Sequence, residues 1–257
     1  MIGVESSSMR TILRIRSRAS KRASEAPTNS DSIITVGFPL PSLSDCGEDS
    51  DADDETSVES KVEFMKLIDR LKQEYSTHLE AINPGVTDEN TYRASCFYYR
   101  AELLPLLPSD KSLRLLDVGC GFGHLLRFCL EQGYMRVVGV EIDRRIYEAA
   151  CAHIGSKVEL LVNADAMGFL ESNPESFDVI TLFDVLEHFP LEGAHQLAVL
   201  MRKALRPGGM AIFRTPNMAS LFAGYSRYLD LTHQYGYTEQ SLAQLLRTAG
   251  FASPRLH

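Results

Sequence analysis

The chain has 257 residues, 44% of them hydrophobic, and a formal charge of −8. That is ample apolar material for one core, and no apolar run approaches the roughly 20 residues of a membrane span. Residues 1–60 hold −5 of the charge, so the near-neutral remainder lacks the basic footprint of a nucleic-acid binder. The five cysteines are odd in number and form no Cys-x-x-Cys pair, which reads as buried thiols in a reducing, cytoplasmic compartment.

Composition divides the chain into residues 1–60, 61–108 and 109–257. The first stretch is rich in Ser, Asp, Glu and Pro and is expected to be disordered, basic from Met9 to Ser24 and acidic from Asp45 to Glu59. Its arginines and serines share a composition with mitochondrial transit peptides, but Glu5 precedes them and a basic tail is the favoured reading. From Val62 the pattern changes. Phe64, Ile68, Leu71 and Tyr75 give a helix one apolar face, expected to pack on the catalytic domain, with capping of a site or pairing with a second subunit as alternatives. Asn83-Pro-Gly ends it, and a second helix is expected from Glu89 to Leu104.

Leu113 to Val118 is a short apolar run suited to a strand buried on both faces. It ends in Gly119, Gly121 and Gly123, a tight turn in which a ligand can lie against the main chain, before an apolar helix stopped by Gly133. Strand and helix patterns then alternate, which implies a mostly parallel sheet covered on both faces. Glu141 closes the second strand 22 residues beyond Gly119, near the offset of about 20 at which a carboxylate meets a ribose in folds of this plan; Asp143 supplies the cap of the next helix.

The third glycine comes one residue earlier than in the dinucleotide fingerprint, and Asp117 stands two residues before the first. This resembles motif I of class I S-adenosylmethionine-dependent methyltransferases. The resemblance continues through Val137 to Asp143, Asn163 to Ala166, Phe177 to His188 and Leu205 to Phe213, and covers Tyr92 to Phe251. It implies a Rossmann-like, doubly wound sheet and S-adenosylmethionine as cofactor, with S-adenosylhomocysteine as product. The implied cofactor-binding residues are Asp117, Gly119, Cys120, Gly121, Gly123, Glu141, Ile142, Asp165, Ala166, Phe183 and Asp184. Among them Asp165 would accept from the adenine amino group and Ala166 would offer its amide to the ring. Tyr92, Arg93, Tyr99 and Arg100, on the helix before the first strand, are candidates for the methionine end. The family's last, antiparallel strand has no counterpart after Phe251, so either the chain is truncated or another segment completes the sheet.

Leu229 to Thr238 resembles the Asp-x-Thr-His segment of O-methyltransferases of the ubiquinone-biosynthesis and bacterial surface-saccharide types. With Phe222, Tyr225, Tyr228, Tyr235 and Tyr237 around it, the implied partner is a small-molecule or saccharide acceptor. A hydroxyl must lose its proton, and His233 is the expected base, with Asp230 orienting it or binding the acceptor. His188 completes the catalytic set, although the segment around it recurs in methyltransferases with different acceptors, so it is read as shaping the pocket. Asp184, Glu187 and His188 serve one strand end better than a chelate, and no metal is expected. Transfer to nitrogen, or a module that binds without catalysis, stays open; a nicotinamide oxidoreductase is disfavoured by the glycine spacing.

Overall fold

The computed structural model describes residues 10–16, 67, 70–82 and 85–256. Within the unit formed by residues 1–19 and 70–257, one seven-stranded sheet carries the architecture. In chain order the elements are β1 (Arg10–Arg16), α1 (Tyr75–Ile82), α2 (Glu89–Tyr98), β2 (Arg114–Val118), α3 (His124–Glu131), β3 (Arg136–Glu141), α4 (Arg144–Ile154) and β4 (Leu160–Asn163). Then come α5 (Ala166–Glu171), β5 (Phe177–Phe183), α6 (Leu191–Ala204), β6 (Leu205–Pro216), α7 (Ala223–Tyr228), α8 (Glu239–Thr248) and β7 (Ala252–Leu256).

The strand order is β4-β3-β2-β5-β6-β1-β7, with β4 to β6 parallel throughout. Continuous apolar strands make sense because alternate residues feed two cores. Leu116, Val118, Val138, Ile180, Leu182 and Phe213 pack with α6 and α8. Leu115, Val137, Val179 and Ile212 pack with α2 and α3 on the other face. Asp143 caps α4 by accepting from the Arg145 and Ile146 amides, as its position predicts. Thr238 opens α8 in a capping box with Ser241.

Composition predicts disorder for residues 10–16, and the resemblance leaves the sheet either truncated or completed by another segment. The structure corrects the first and decides the second for another segment: β1 lies antiparallel between β6 and β7, with Leu13 opposite Phe213 and Leu256. The physical reason is local. Thr11, Leu13 and Ile15 alternate with Arg10, Ile12, Arg14 and Arg16 in sequence, a near-strand period that a composition window averages away. The rest of residues 1–60, with the acidic run, lies outside the described residues, as do Phe64 and Ile68. The second N-terminal helix continues past Tyr98 as a π turn, Tyr99–Leu103, and a 3-10 turn, Leu104–Leu106. α1 packs on the catalytic domain: Arg145 donates to the Thr77 hydroxyl at 3.2 Å, and the Tyr75 ring stands edge-on to His188.

Candidate active site

The glycine loop leaves β2 with the amides of Gly119 and Cys120 both donating to the Val140 carbonyl. Gly119 takes φ +68°, and a Cβ there would meet Val185 Cγ2 at 2.4 Å. Gly121, at φ +54°, has nothing within 4 Å of its would-be Cβ. The first glycine thus serves packing, and the second leaves open space for a ligand. A cleft of about 160 Å³ opens here, lined by Asp117, Gly119, Cys120 and Phe183 among the expected residues. His124 and Arg214 also line it, and sequence reasoning missed both. Of the four candidates before β2, Tyr99 reaches the cleft. Tyr92 is buried beneath the Arg127 guanidinium, while Arg93 pairs with Glu89 at the surface and Arg100 is exposed.

Asp117 is 3% exposed in the middle of the sheet. It accepts from the Thr181 hydroxyl on the neighbouring strand at 2.6 Å. Burial pushes its carboxyl up to about 7, with the Thr181 bond and the Arg214 charge pulling it down and Glu141 pushing it up. Arg214, at the end of β6, donates to Asp184 and lies over the Phe183 and Tyr98 rings at 4.5 and 5.0 Å. Burial disfavours its charge, yet Asp184 leads the groups that keep the guanidinium charged. Asp184 itself sits at φ +55°, an uncommon backbone state for a non-glycine residue and one found at functional sites.

Glu141 is 7% exposed, and burial raises its carboxyl while the amides of Asp143 and Gly121 pull the other way. Those amides donate to its two oxygens at 2.9 Å each, which ties β3 to the glycine loop. A carboxylate accepts more than one bond per oxygen, so capacity for a ligand remains. Next to it Ile142 is 66% exposed, an apolar side chain held out beside a buried acid. Asp165 caps α5 through its bond from the Gly168 amide at 2.9 Å, and Ala166 is the first residue of that helix.

The third group gathers where β5 and β6 end. Glu187 and His188 lie on a 3-10 turn, Leu186–His188. The loop carrying His233 is stitched to that turn: the amides of Gln234 and Tyr235 donate to the Glu187 carbonyl, and the Gln234 side chain donates to the His188 carbonyl. The two imidazoles come within 4.8 Å, centroid to centroid. Asp230 accepts from the Thr232 amide and hydroxyl, both at 2.7 Å. Burial raises its carboxyl, but those bonds prevail and hold it below the ordinary range. The Thr232 hydroxyl in turn meets His188 Nδ1 at 2.7 Å. Because the hydroxyl hydrogen goes to a carboxylate, Thr232 accepts from His188, and the ring carries its proton on Nδ1. His233 Nδ1 donates to the Ser226 carbonyl at 3.1 Å, which fixes the same tautomer. Burial first, then the neighbouring His233, pushes His188 down to about 4; burial also lowers His233. Both rings are therefore neutral at physiological pH, each with an Nε2 lone pair.

Near-contiguity predicts one cluster of Asp184, Glu187 and His188. Within that strand end Asp184 pairs with Arg214, and Glu187 and His188 gather with His233. Thr181, Thr215 and Thr232 also escaped prediction, since a threonine carries no functional signal until its partner is known.

A family profile described as a methyltransferase domain matches residues 91–253. The ubiquinone biosynthesis O-methyltransferase of Saccharophagus degradans is 34% identical over 179 residues, which cover 63% of this chain and 70% of that protein. The chain belongs to the class I S-adenosylmethionine-dependent methyltransferases. This methyltransferase is also 37% identical to the Aliivibrio fischeri protein of the same description over 109 residues, 40% of this chain and 44% of that one. It thus spans less than half the length of some relatives it matches. A crystal structure of a SAM-dependent methyltransferase from Archaeoglobus fulgidus shares the fold at a TM-score of 0.54 and 27% identity, covering 64% of this chain and 73% of that one.

The cofactor of this methyltransferase is S-adenosylmethionine, and the donor groups suit it. Gly121 opens onto free space, and two buried carboxylates, Asp117 and Glu141, match a cationic amino-acid end and a vicinal diol. Among the described residues no helix is long and apolar enough to cross a membrane.

Proposed function

We propose that this methyltransferase acts on a hydroxyl group of a small molecule or saccharide. The observation that carries the reading is the rim of two neutral, tautomer-fixed histidines beside a buried carboxylate, at the sheet end where open α/β folds bind their ligands. His233 takes the hydroxyl proton on Nε2, held by the Ser226 carbonyl; Asp230, expected to orient His233, instead orients His188 through Thr232, and His188 lies against His233. Relatives described as ubiquinone biosynthesis O-methyltransferases support oxygen as the acceptor atom.

The cofactor supplies a methyl group on a sulfonium. This chain's residues hold it: Asp117 takes the ammonium end, Glu141 the ribose hydroxyls, Ile142 and Ala166 flank the adenine, and Asp165 accepts from its amino group. Gly119, Cys120, Gly121 and Gly123 form the cradle, and Phe183 and Asp184 close it towards the methyl. The chain's remaining task is to position the acceptor and exclude water.

Calorimetry tests the cofactor half. S-Adenosylhomocysteine is expected to bind the wild-type chain with micromolar-order affinity and Glu141→Ala about 10- to 100-fold more weakly, the loss of one or two bonds to a charged acceptor. Equal affinities would remove Glu141 from the site. Methyl transfer to a panel of phenols and sugars tests the acceptor half. His233→Ala is expected to lower the rate by about 100-fold or more, and an unchanged rate would end the base assignment.

A further inference from the structure

α1 lies ahead of residue 91, where the family profile begins, yet its first turn reaches the site. At its start the Tyr75 ring meets His188 edge-on, with 5.4 Å between centroids. Further along that turn the Thr77 hydroxyl accepts from Arg145, at the start of α4 and just past Glu141 and Ile142. The first turn of α1 therefore bridges the turn after β5 and the loop after β3. It crosses the strand ends at which a sheet of this kind binds its ligands.

Tyr75 is partly buried, and among the described residues its hydroxyl has no hydrogen-bond partner. Four carboxylates act on it: Asp230 and Glu187 from the acceptor rim, Glu141 and Asp184 from the cofactor side. The hydroxyl is thus placed between the two halves of the site. Burial first, then those charges, raises the phenol above its ordinary value. It keeps its proton, so it donates a hydrogen bond and does not compete with His233 as base. The next residue, Ser76, is buried with its hydroxyl unpartnered, a second polar atom that α1 encloses without a protein partner.

The oxygen that is methylated gives its proton to His233 and an electron pair to the methyl group, and a donated hydrogen bond would hold that pair back. A donor in the roof therefore suits an oxygen that does not react. We propose that Tyr75 binds the methyl acceptor, its ring roofing the space between cofactor and acceptor and its hydroxyl donating to an oxygen that is not methylated. The inference rests on the hydroxyl reading above and deepens it: the acceptor carries a second oxygen. Tyr75 selects for that oxygen because a substrate without it leaves the enclosed hydroxyl unpaired. The ring also shields the reacting groups from water.

The test pairs methoxyphenols with ethylphenols of the same substitution, and methyl glycosides with their deoxy analogues, so that one oxygen is exchanged or removed while the ring stays. Binding to the S-adenosylhomocysteine complex of the full chain is read by calorimetry, and transfer from S-adenosylmethionine by product formation. The wild type is expected to bind the oxygen-bearing member of at least one pair about 3- to 10-fold more tightly, the worth of one hydrogen bond. Tyr75→Phe keeps the ring against His188 and should lose that preference, with KM raised by about the same factor and kcat within about twofold. Glu80→Gln, exposed on α1, should behave as the wild type does. Equal S-adenosylhomocysteine affinity shows that all three proteins are folded. A preference that survives in Tyr75→Phe, or no binding of any member to the wild-type complex, overturns the inference. Transfer with the same KM and the same preference in both proteins would overturn Tyr75 and keep the hydroxyl reading. Tyr75-dependent binding without transfer to any hydroxyl would keep the role of Tyr75 and overturn that reading.

Discussion

Leu13→Pro is expected to lower the melting temperature by about 5–15 °C and to promote aggregation. Leu13 lies at the middle of β1, opposite Phe213 of β6 and Leu256 of β7, so the strand is interior to the sheet. Proline there removes an amide donor, leaves a ladder carbonyl unpaired and places a ring where the neighbouring strand runs, a cost of roughly 2–4 kcal/mol. Freed edges of β6 and β7 would then be open to pairing with other chains. The effect should reach the site, because β1 pairs Ile12 with Arg214 and Thr11 with Thr215, the residues of β6 that bond Asp184 and Glu187. Cofactor affinity should therefore fall along with stability. Arg10→Pro, at the first position of the strand, is the control and should melt within about 2 °C of wild type. A Leu13→Pro protein that melts as the wild type does, with exchangeable amides throughout residues 10–16, would show that β1 contributes nothing to the sheet.

The parallel half of this sheet is legible in the sequence because each strand is a contiguous apolar run buried on two faces, and the helices announce themselves through caps such as Asp143 and Thr238. The closeness of Glu141 to the glycine loop is legible in its offset from Gly119, and the carboxylate accepts from the Gly121 amide. β1 is not, because a seven-residue strand with four polar positions looks like a charged tail until the sheet edge that needs it is known. His188, His233 and Asp230 are singled out in the sequence, but the bonds that join them are not. His188 and Thr232 lie 44 residues apart, and only the closure of the loop after β6 onto the turn after β5 makes them partners. Arg214 left a signal that could have been used: a charge directly after the apolar run 210–213 of β6, buried with no acid near it in sequence, must find an acid across strands.

Asp117→Asn is expected to remove a large pH dependence from the cofactor-free protein. The carboxyl has an ordinary value of 3.8 and stands at about 7 when folded, because burial disfavours its charge. A folded-state value above the unfolded one means that its stability contribution is complete below about pH 4 and is lost as pH rises to about 7. The loss comes to roughly 4 kcal/mol at about 1.4 kcal/mol per pH unit. Asparagine has no proton to lose, and its side-chain oxygen can still accept from Thr181. The variant should therefore gain on the wild type by up to that amount between pH 4 and pH 8, whatever the constant offset from its unmatched amide hydrogens. Taking the difference between the two proteins cancels Glu141, whose carboxyl burial also raises. If Asp117 holds the cofactor's ammonium group, bound cation favours the ionised carboxylate. Wild-type affinity should then rise with pH up to about 7, by at most tenfold per unit, with a proton released on binding. The variant should bind weakly with no such slope, although it is the more stable protein at pH 8. Denaturant melts and calorimetry in two buffers of different ionisation enthalpy read both effects. Parallel stability profiles for the two proteins would mean that Asp117 is ionised at no cost inside the sheet. Equal affinities would mean that the ammonium end is held elsewhere.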